Sequence, residues 1–296
     1  MGREKKLEIG VINITMQPHS PDKYTKLIRS AHRLNTPIKV RGDQYAILSG
    51  MRKVEEKQEK NGLLEGDIFR FTQIDRNKNW FNSTTNQFAD DKDIKSINLP
   101  ANLFPNSSRF SYLFEPKSHL FFYEGYYDGN GLAASHAESY LQGLLNQELL
   151  VKEFGKIDVT HVPLQDSLKE ALKLKQKDRI EISILRPNAD AQVNAEIEVM
   201  RRLNALNVEK VDQSYKAISG KSIELDEELK MLTNIAAKNG EVTITGKDSE
   251  FRPVKYMTKD HPWIITEYYD PNIELPFSVF SRIAKDMSDE IKNWFK

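Results

Sequence analysis

The sequence predicts an α+β protein of two mixed α/β subdomains joined by a central aromatic β-hairpin. The hairpin is the first observation: Phe110 to Phe114 and Leu120 to Tyr127 flank Glu115-Pro116-Lys117-Ser118-His119, a turn with proline at its first corner. The second is a first half in which strand patterns outnumber helical ones. The third is the change, after the turn Asp128-Gly129-Asn130-Gly131, to alternating helices and strands. These place a boundary at the end of the hairpin, giving residues 1–130 and 131–296 as the two parts.

Residues Leu7 to Met16 alternate as Leu7, Ile9, Val11 and then as Ile12, Ile14, Met16, a strand whose phase slips once, as at a bulge. Ser20 is a helix N-cap with Pro21 in the first turn, and Tyr24, Leu27, Ile28, Ala31 and Leu34 make one apolar stripe. Gly42 turns the chain into a strand at Tyr45 to Met51, and Leu64 to Ile74 is another. Residues Arg52 to Asn61 are charged and loop out. Asp75 to Ser96 is a polar loop, with an acidic knot at Asp90, Asp91 and Asp93, that docks through Trp80 and Phe81 or carries function. Beyond the hairpin, Ala133 to Phe154 is helical and Lys156 to Val162 extended, and Ser167-Leu168-Lys169-Glu170 is a capping box that opens a short helix. Arg179 to Leu185 is a half-buried strand. Helices follow at Val193 to Leu206 and Asp226 to Lys238, with closing strands between Glu241 and Tyr269. The last helix, Phe277 to Phe295, spaces Phe277, Phe280, Ala284, Met287, Ile291 and Trp294 by threes and fours. Such a seam either covers the helix's own domain or forms a dimer contact through Phe277, Phe280, Met287, Ile291 and Trp294.

The 296 residues, 39% of them hydrophobic, are enough for a sizeable core. Lys+Arg 43 against Asp+Glu 43 leaves no net charge, so any site for a polyanion is a local patch and not a domain-wide field. The chain has no cysteine, which excludes disulfides, thiolate nucleophiles and cysteine-based zinc sites. The N-terminal residues lack a leader pattern and no window reaches the roughly 20 apolar residues of a membrane span, so a cytoplasmic protein without membrane insertion is expected.

No cofactor or metal is expected. The six histidines have no paired ligand spacing, His136-Ala137-Glu138 lacks the thiolates that a deaminase zinc site needs, and Asp128-Gly129-Asn130-Gly131 lacks a calcium loop's twelfth-position glutamate. The one catalytic set is that of a metal-dependent nuclease, with Asp43 and Glu55 holding a cation and Lys57 steadying the attacking water. Two basic sets offer a non-catalytic alternative. Lys23, Lys26, Arg29 and Arg33 with Lys39 and Arg41 lie in the first half, and Lys169, Lys173, Lys175, Lys177 and Arg179 in the second. Lining one cleft, they would hold phosphates and release counterions, and without interleaved aromatics the ligand is duplex and not single-stranded.

Gln17-Pro18-His19-Ser20-Pro21, Lys39-Val40-Arg41-Gly42-Asp43, Trp80-Phe81-Asn82, Asn98-Leu99-Pro100 and Pro105-Asn106 together resemble a bacterial family known only as a domain of unknown function, over most of the chain. That resemblance implies no activity and no catalytic residues. From Leu120 onward the chain is also similar in order and spacing to RexA, the sensor of a phage-exclusion system. The likeness runs through the strand end Glu124-Gly125, the turn before Ala133, the strand at Ile180 and the strands around Glu241 to Tyr269. It implies a homodimer that binds DNA without sequence preference in antiviral defence, with a second defence-system protein as partner. The expectation is a DNA-binding protein without turnover. The alternatives are the nuclease and a protein-interaction adaptor working through the Trp80 loop and the last helix.

Overall fold

The first strand, β1 (Lys5–Met16), pairs with three other strands of the main sheet. The structure is a computed structural model that describes residues 4–53, 62–75, 77–186 and 194–293. Up to the hairpin the elements are α1 (Pro21–Leu34), β2 (Ile38–Arg41), β3 (Gln44–Lys53), β4 (Leu64–Thr72), β5 (Phe81–Asn82), β6 (Gln87–Phe88), α2 (Asp91–Ser96), β7 (Ser108–Glu115) and β8 (Leu120–Tyr127). After it come β9 (Asn130–Gly131), α3 (Ala134–Leu145), α4 (Glu148–Phe154), β10 (Ile157–His161), α5 (Gln165–Leu172), β11 (Gln176–Leu185), α6 (Asn194–Leu206) and β12 (Lys210–Lys216). The chain closes with α7 (Glu227–Lys238), β13 (Gly240–Lys247), β14 (Pro253–Met257), β15 (Ile264–Tyr269) and α8 (Pro276–Asn293).

A nine-stranded sheet runs β10-β1-β8-β7-β4-β3-β2, with β15 also on β1 and β9 on β8. One long side of β1 pairs with β8. The other is shared, Lys5 to Gly10 with β15 and Ile12 to Met16 with β10. Strand pairing therefore crosses residue 130, because β10 and β15 complete the sheet that the first half begins. The aromatic hairpin β7–β8 is as the sequence predicts, and it lies inside this sheet rather than between two bodies.

The phase slip in β1 has a different cause from a bulge at that point. Leu7, Ile9 and Val11 belong to one core and Ile12, Ile14 and Met16 to another, as period-two alternation across a doubly covered strand requires. The register irregularity falls earlier, between Glu8 and Ile9 against β8. On the face of Ile12, helices α1, α3 and α4 cover the sheet; on the face of Leu7, α8 does. Gly10 is required beside β8, because a Cβ there would stand 2.4 Å from the Tyr123 phenol.

The helix expected over residues 133–154 is two helices. Asn146 ends α3, donating from Nδ2 to the Ile157 carbonyl at 2.8 Å while its Oδ1 accepts from the Ile157 N–H at 3.1 Å. The side chain thus fastens the break to the start of β10. Helix α5 begins at Gln165, so Ser167 lies inside the first turn and not at its cap. The acidic knot has a local use, since Asp90 caps α2 by accepting from the N–H groups of Lys92 and Asp93.

The second sheet, β12-β11-β13-β14, carries α5 and α7 on an apolar face built from Ile180, Ile182, Ile184, Val242 and Ile244. It is tied to β1 by a buried polar chain. Asn13 Nδ2 donates to the Lys238 carbonyl at 3.0 Å, Asn239 Nδ2 donates to Glu196 Oε1 at 2.8 Å, and Lys238 Nζ pairs with Glu196 at 3.3 Å. On its other side Asn13 Oδ1 lies 2.6 Å from His119 Nδ1 in the hairpin turn.

Helix α8 is fastened at Glu115. Burial pushes this carboxyl up, but Lys292 Nζ at 2.7 Å with the Ser118 and Ser288 hydroxyls outweighs it and holds the group below its ordinary value of 4.5. A depressed folded value means stability fully present above pH 4.5 and lost as pH falls through the folded pKa. Between about pH 6 and about pH 3, the urea midpoint of the wild type is expected to drop further than that of Glu115→Gln. Parallel curves would show that the carboxylate contributes nothing.

Candidate nucleic-acid interface

Helix α1 begins where the sequence predicts, with Ser20 accepting from the Lys23 N–H at 3.3 Å. Tyr24, Leu27, Ile28 and Ala31 are buried against the sheet, which turns Lys26 and Arg33 fully to the surface and leaves Lys23 and Arg29 half-buried beside them. At about 100° per residue the four cations occupy a strip about 120° wide. Arg33 in the last turn also complements the helix dipole.

Asn35, in the left-handed region at φ 47, ends the helix, and three residues later the chain enters β2. Lys39 and Arg41 project from this strand, which is the edge of the sheet. Charges on an edge strand discourage further strand pairing as well as attracting anions. Among the described residues, none of these six cations forms an ion pair with a carboxylate.

Two further basic groups lie close by and have no periodic signature in the sequence. Arg70, on β4, is partly buried, donates to the Gly131 carbonyl and sits 5.5 Å from the centre of the Phe110 ring. His136, in the first turn of α3, has its pKa held below the ordinary 6.5 by burial and then by the charges of Arg41 and Arg70. That turn has no acidic residue and no side-chain cap, so the positive end of the helix dipole adds to the same field. The signal that could have found them is the contact of α3 with β2, which only the fold supplies.

The second basic set lies elsewhere, around α5 and β11, and three of its five cations are paired with carboxylates. Lys169 pairs with Asp166 at 3.4 Å, Lys173 with Glu170 at 2.9 Å and Arg179 with Glu181 at 3.5 Å. Lys177 Nζ donates to the Leu174 carbonyl at 3.1 Å, and Lys175 sits 4.1 Å from the centre of the Phe251 ring. Exposed pairs of this kind are weak, but each cancels the local field that would draw a phosphate. This set belongs to the second sheet, while α1 packs on the first with α3 and α4, so the two basic sets stand on different sheets.

Of the nuclease set, Asp43 alone lies among the described residues. Asp43 forms an ion pair with Lys78, which lowers its pKa, first through their hydrogen bond and then through the ammonium charge. Glu55 and Lys57 lie outside the described residues, and among those described no group of three or more His, Asp or Glu could hold a metal ion. The expected dimer seam is turned inward. Phe280, Met287 and Ile291 are 0%, 1% and 3% exposed in the core between α8 and the sheet, Phe277 packs against that core, and Trp294 lies outside the described residues. Side chains already buried in their own chain have no surface left to offer a second copy. The Trp80 loop does not dock through Phe81, which is 67% exposed and faces Phe88, 76% exposed, across the β5–β6 ladder.

These features define an α+β protein with, among the described residues, two large antiparallel sheets and a two-stranded ladder, an uncompensated basic face and no helix long and apolar enough to cross a membrane. The chain belongs to the family described as domain of unknown function DUF4747, whose model matches residues 5–285. No curated protein matches it.

Proposed function

We propose that the face formed by α1, β2 and the first turn of α3 binds the phosphate backbone of nucleic acid, duplex DNA in the first instance, without reading sequence. The observation that carries this is the strip Lys23, Lys26, Arg29 and Arg33, free of carboxylate partners among the described residues, on a chain with no net charge. Lys39 and Arg41 extend it along the sheet edge, and Arg70 and His136 extend it to the end of α3. The setting in phage defence, with a second defence protein, rests on the RexA resemblance alone. A homodimer would have to use a surface other than the apolar seam of α8.

A mobility-shift titration with random-sequence duplex between about 50 and about 200 mM salt tests the interface. Each phosphate neutralised contributes about 0.9 to the slope of log affinity against log salt, so Lys26→Gln/Arg29→Gln/Arg33→Gln is expected to flatten the slope by about 3. Absence of a shifted band at the lowest salt would overturn the proposal.

His136 gives an independent readout. Its free-state pKa lies below 6.5, and a phosphate arriving beside it stabilises the imidazolium, so binding takes up a proton. Affinity is therefore expected to rise as pH falls through the window between the free and bound values, with an upward shift of the His136 ring titration on adding duplex. A titration that does not move would place the DNA away from α3.

A further inference from the structure

We infer that the groove between α5 and edge strand β14 is a binding site for a small planar aromatic anion, of about the size of a nucleoside monophosphate. The groove has a volume of ≈ 830 Å³, within the range of small-molecule sites. Leu164, Ala171, Leu174 and Val254 give it an apolar lining. Tyr256 and His261, also on its wall, stack at 4.7 Å between ring centroids with 9° between their planes. A flat ring is the shape that continues such a stack.

Two observations point to the polar end of the ligand. Tyr256 is 6% exposed, and its hydroxyl is buried with no hydrogen-bond partner, an arrangement that costs free energy until an acceptor or donor arrives. Burial alone pushes its pKa up to about 12, so the group is a neutral donor at neutral pH. The walls carry three carboxylates and three ammonium groups, and their pairing is uneven. Asp166, Glu170 and Asp248 are engaged by Lys169, Lys173 and Arg252, while Lys175 and Lys255 have no carboxylate partner among the described residues. An apolar floor, a ring stack, an unused phenol and two uncompensated ammonium groups together suit an aromatic ring bearing a phosphate, sulfonate or carboxylate.

Adenosine 5′-monophosphate and naphthalene-1-sulfonate are the probes, with adenosine as the uncharged control, followed by calorimetry and by amide shifts of residues on α5 and β14. Saturable binding of at least one anion below about 1 mM is expected, with adenosine weaker by about tenfold. Lys175→Glu/Lys255→Glu, both exposed and so compatible with folding, is expected to weaken the anion by at least about tenfold, and Tyr256→Phe by several-fold. Lys26→Gln/Arg29→Gln/Arg33→Gln is expected to leave it unchanged, which separates this site from the nucleic-acid face. Failure of both anions to bind, or equal binding by the charge-reversed variant, overturns the inference.

Discussion

Replacing Phe280 by alanine is expected to destabilise the chain by about 3–5 kcal/mol, read as a lower urea midpoint at an unchanged slope. Phe280 has no exposed surface and sits among Leu7, Ile9, Val11, Phe122 and Met287, where α8 closes one face of the main sheet. Truncation removes most of an aromatic side chain from a packed layer between a helix and a sheet, neither of which can collapse far to fill the space. Phe280→Asp adds the cost of an unpaired buried charge and is expected to abolish the folded state. Ile273, 81% exposed, is the control, and Ile273→Asp should change stability by less than about 0.5 kcal/mol. A Phe280→Asp protein that stayed folded while changing its mass by light scattering would restore the helix as a subunit contact.

The second large effect is expected at the joint between the two sheets. Glu196 has no exposed surface, and Lys238 is nearly as buried. Glu196→Ala removes the carboxylate that pairs with the buried Lys238 ammonium and the acceptor at 2.8 Å from Asn239 Nδ2, which keeps the Ile235 carbonyl at 3.3 Å, for an expected loss of about 3–5 kcal/mol. Glu196→Met/Lys238→Met removes both charges and keeps the volume, so it is expected to recover most of that loss. Because Asn13 holds the Lys238 carbonyl on β1, the single variant should also raise amide exchange in β1 and β10 more than in the α8 face. Equal destabilisation in the single and double variants would show that packing, and not the charge pair, holds the joint.

Local chemistry made many elements legible. Ser20 and Pro21 announce α1, Pro116 and the flanking aromatic runs announce β7–β8, and the isoleucines at 180, 182 and 184 announce β11, because each signal is confined to one turn or one period. The compensation of Lys169 and Lys173 was also within reach, since Asp166 and Glu170 stand three residues before them along α5 and its C-cap. What was hidden depended on residues far apart in the chain. A break after Leu145 is fixed by Ile157, and the apparent slip in β1 arises because separate layers of helices cover its two faces.

By itself, the order of residues determined most of the secondary elements, the α+β class and the basic outer strip of α1, since hydrophobic period, capping and turn chemistry act over a few residues. Only the tertiary structure decided that β10 and β15 join the first half's sheet, that α8 is covered, that Arg70 and His136 extend the basic face, and that Tyr256 and His261 line one groove. Strand pairing and side-chain burial are set by which apolar faces must meet to leave water, and that is a property of the whole chain.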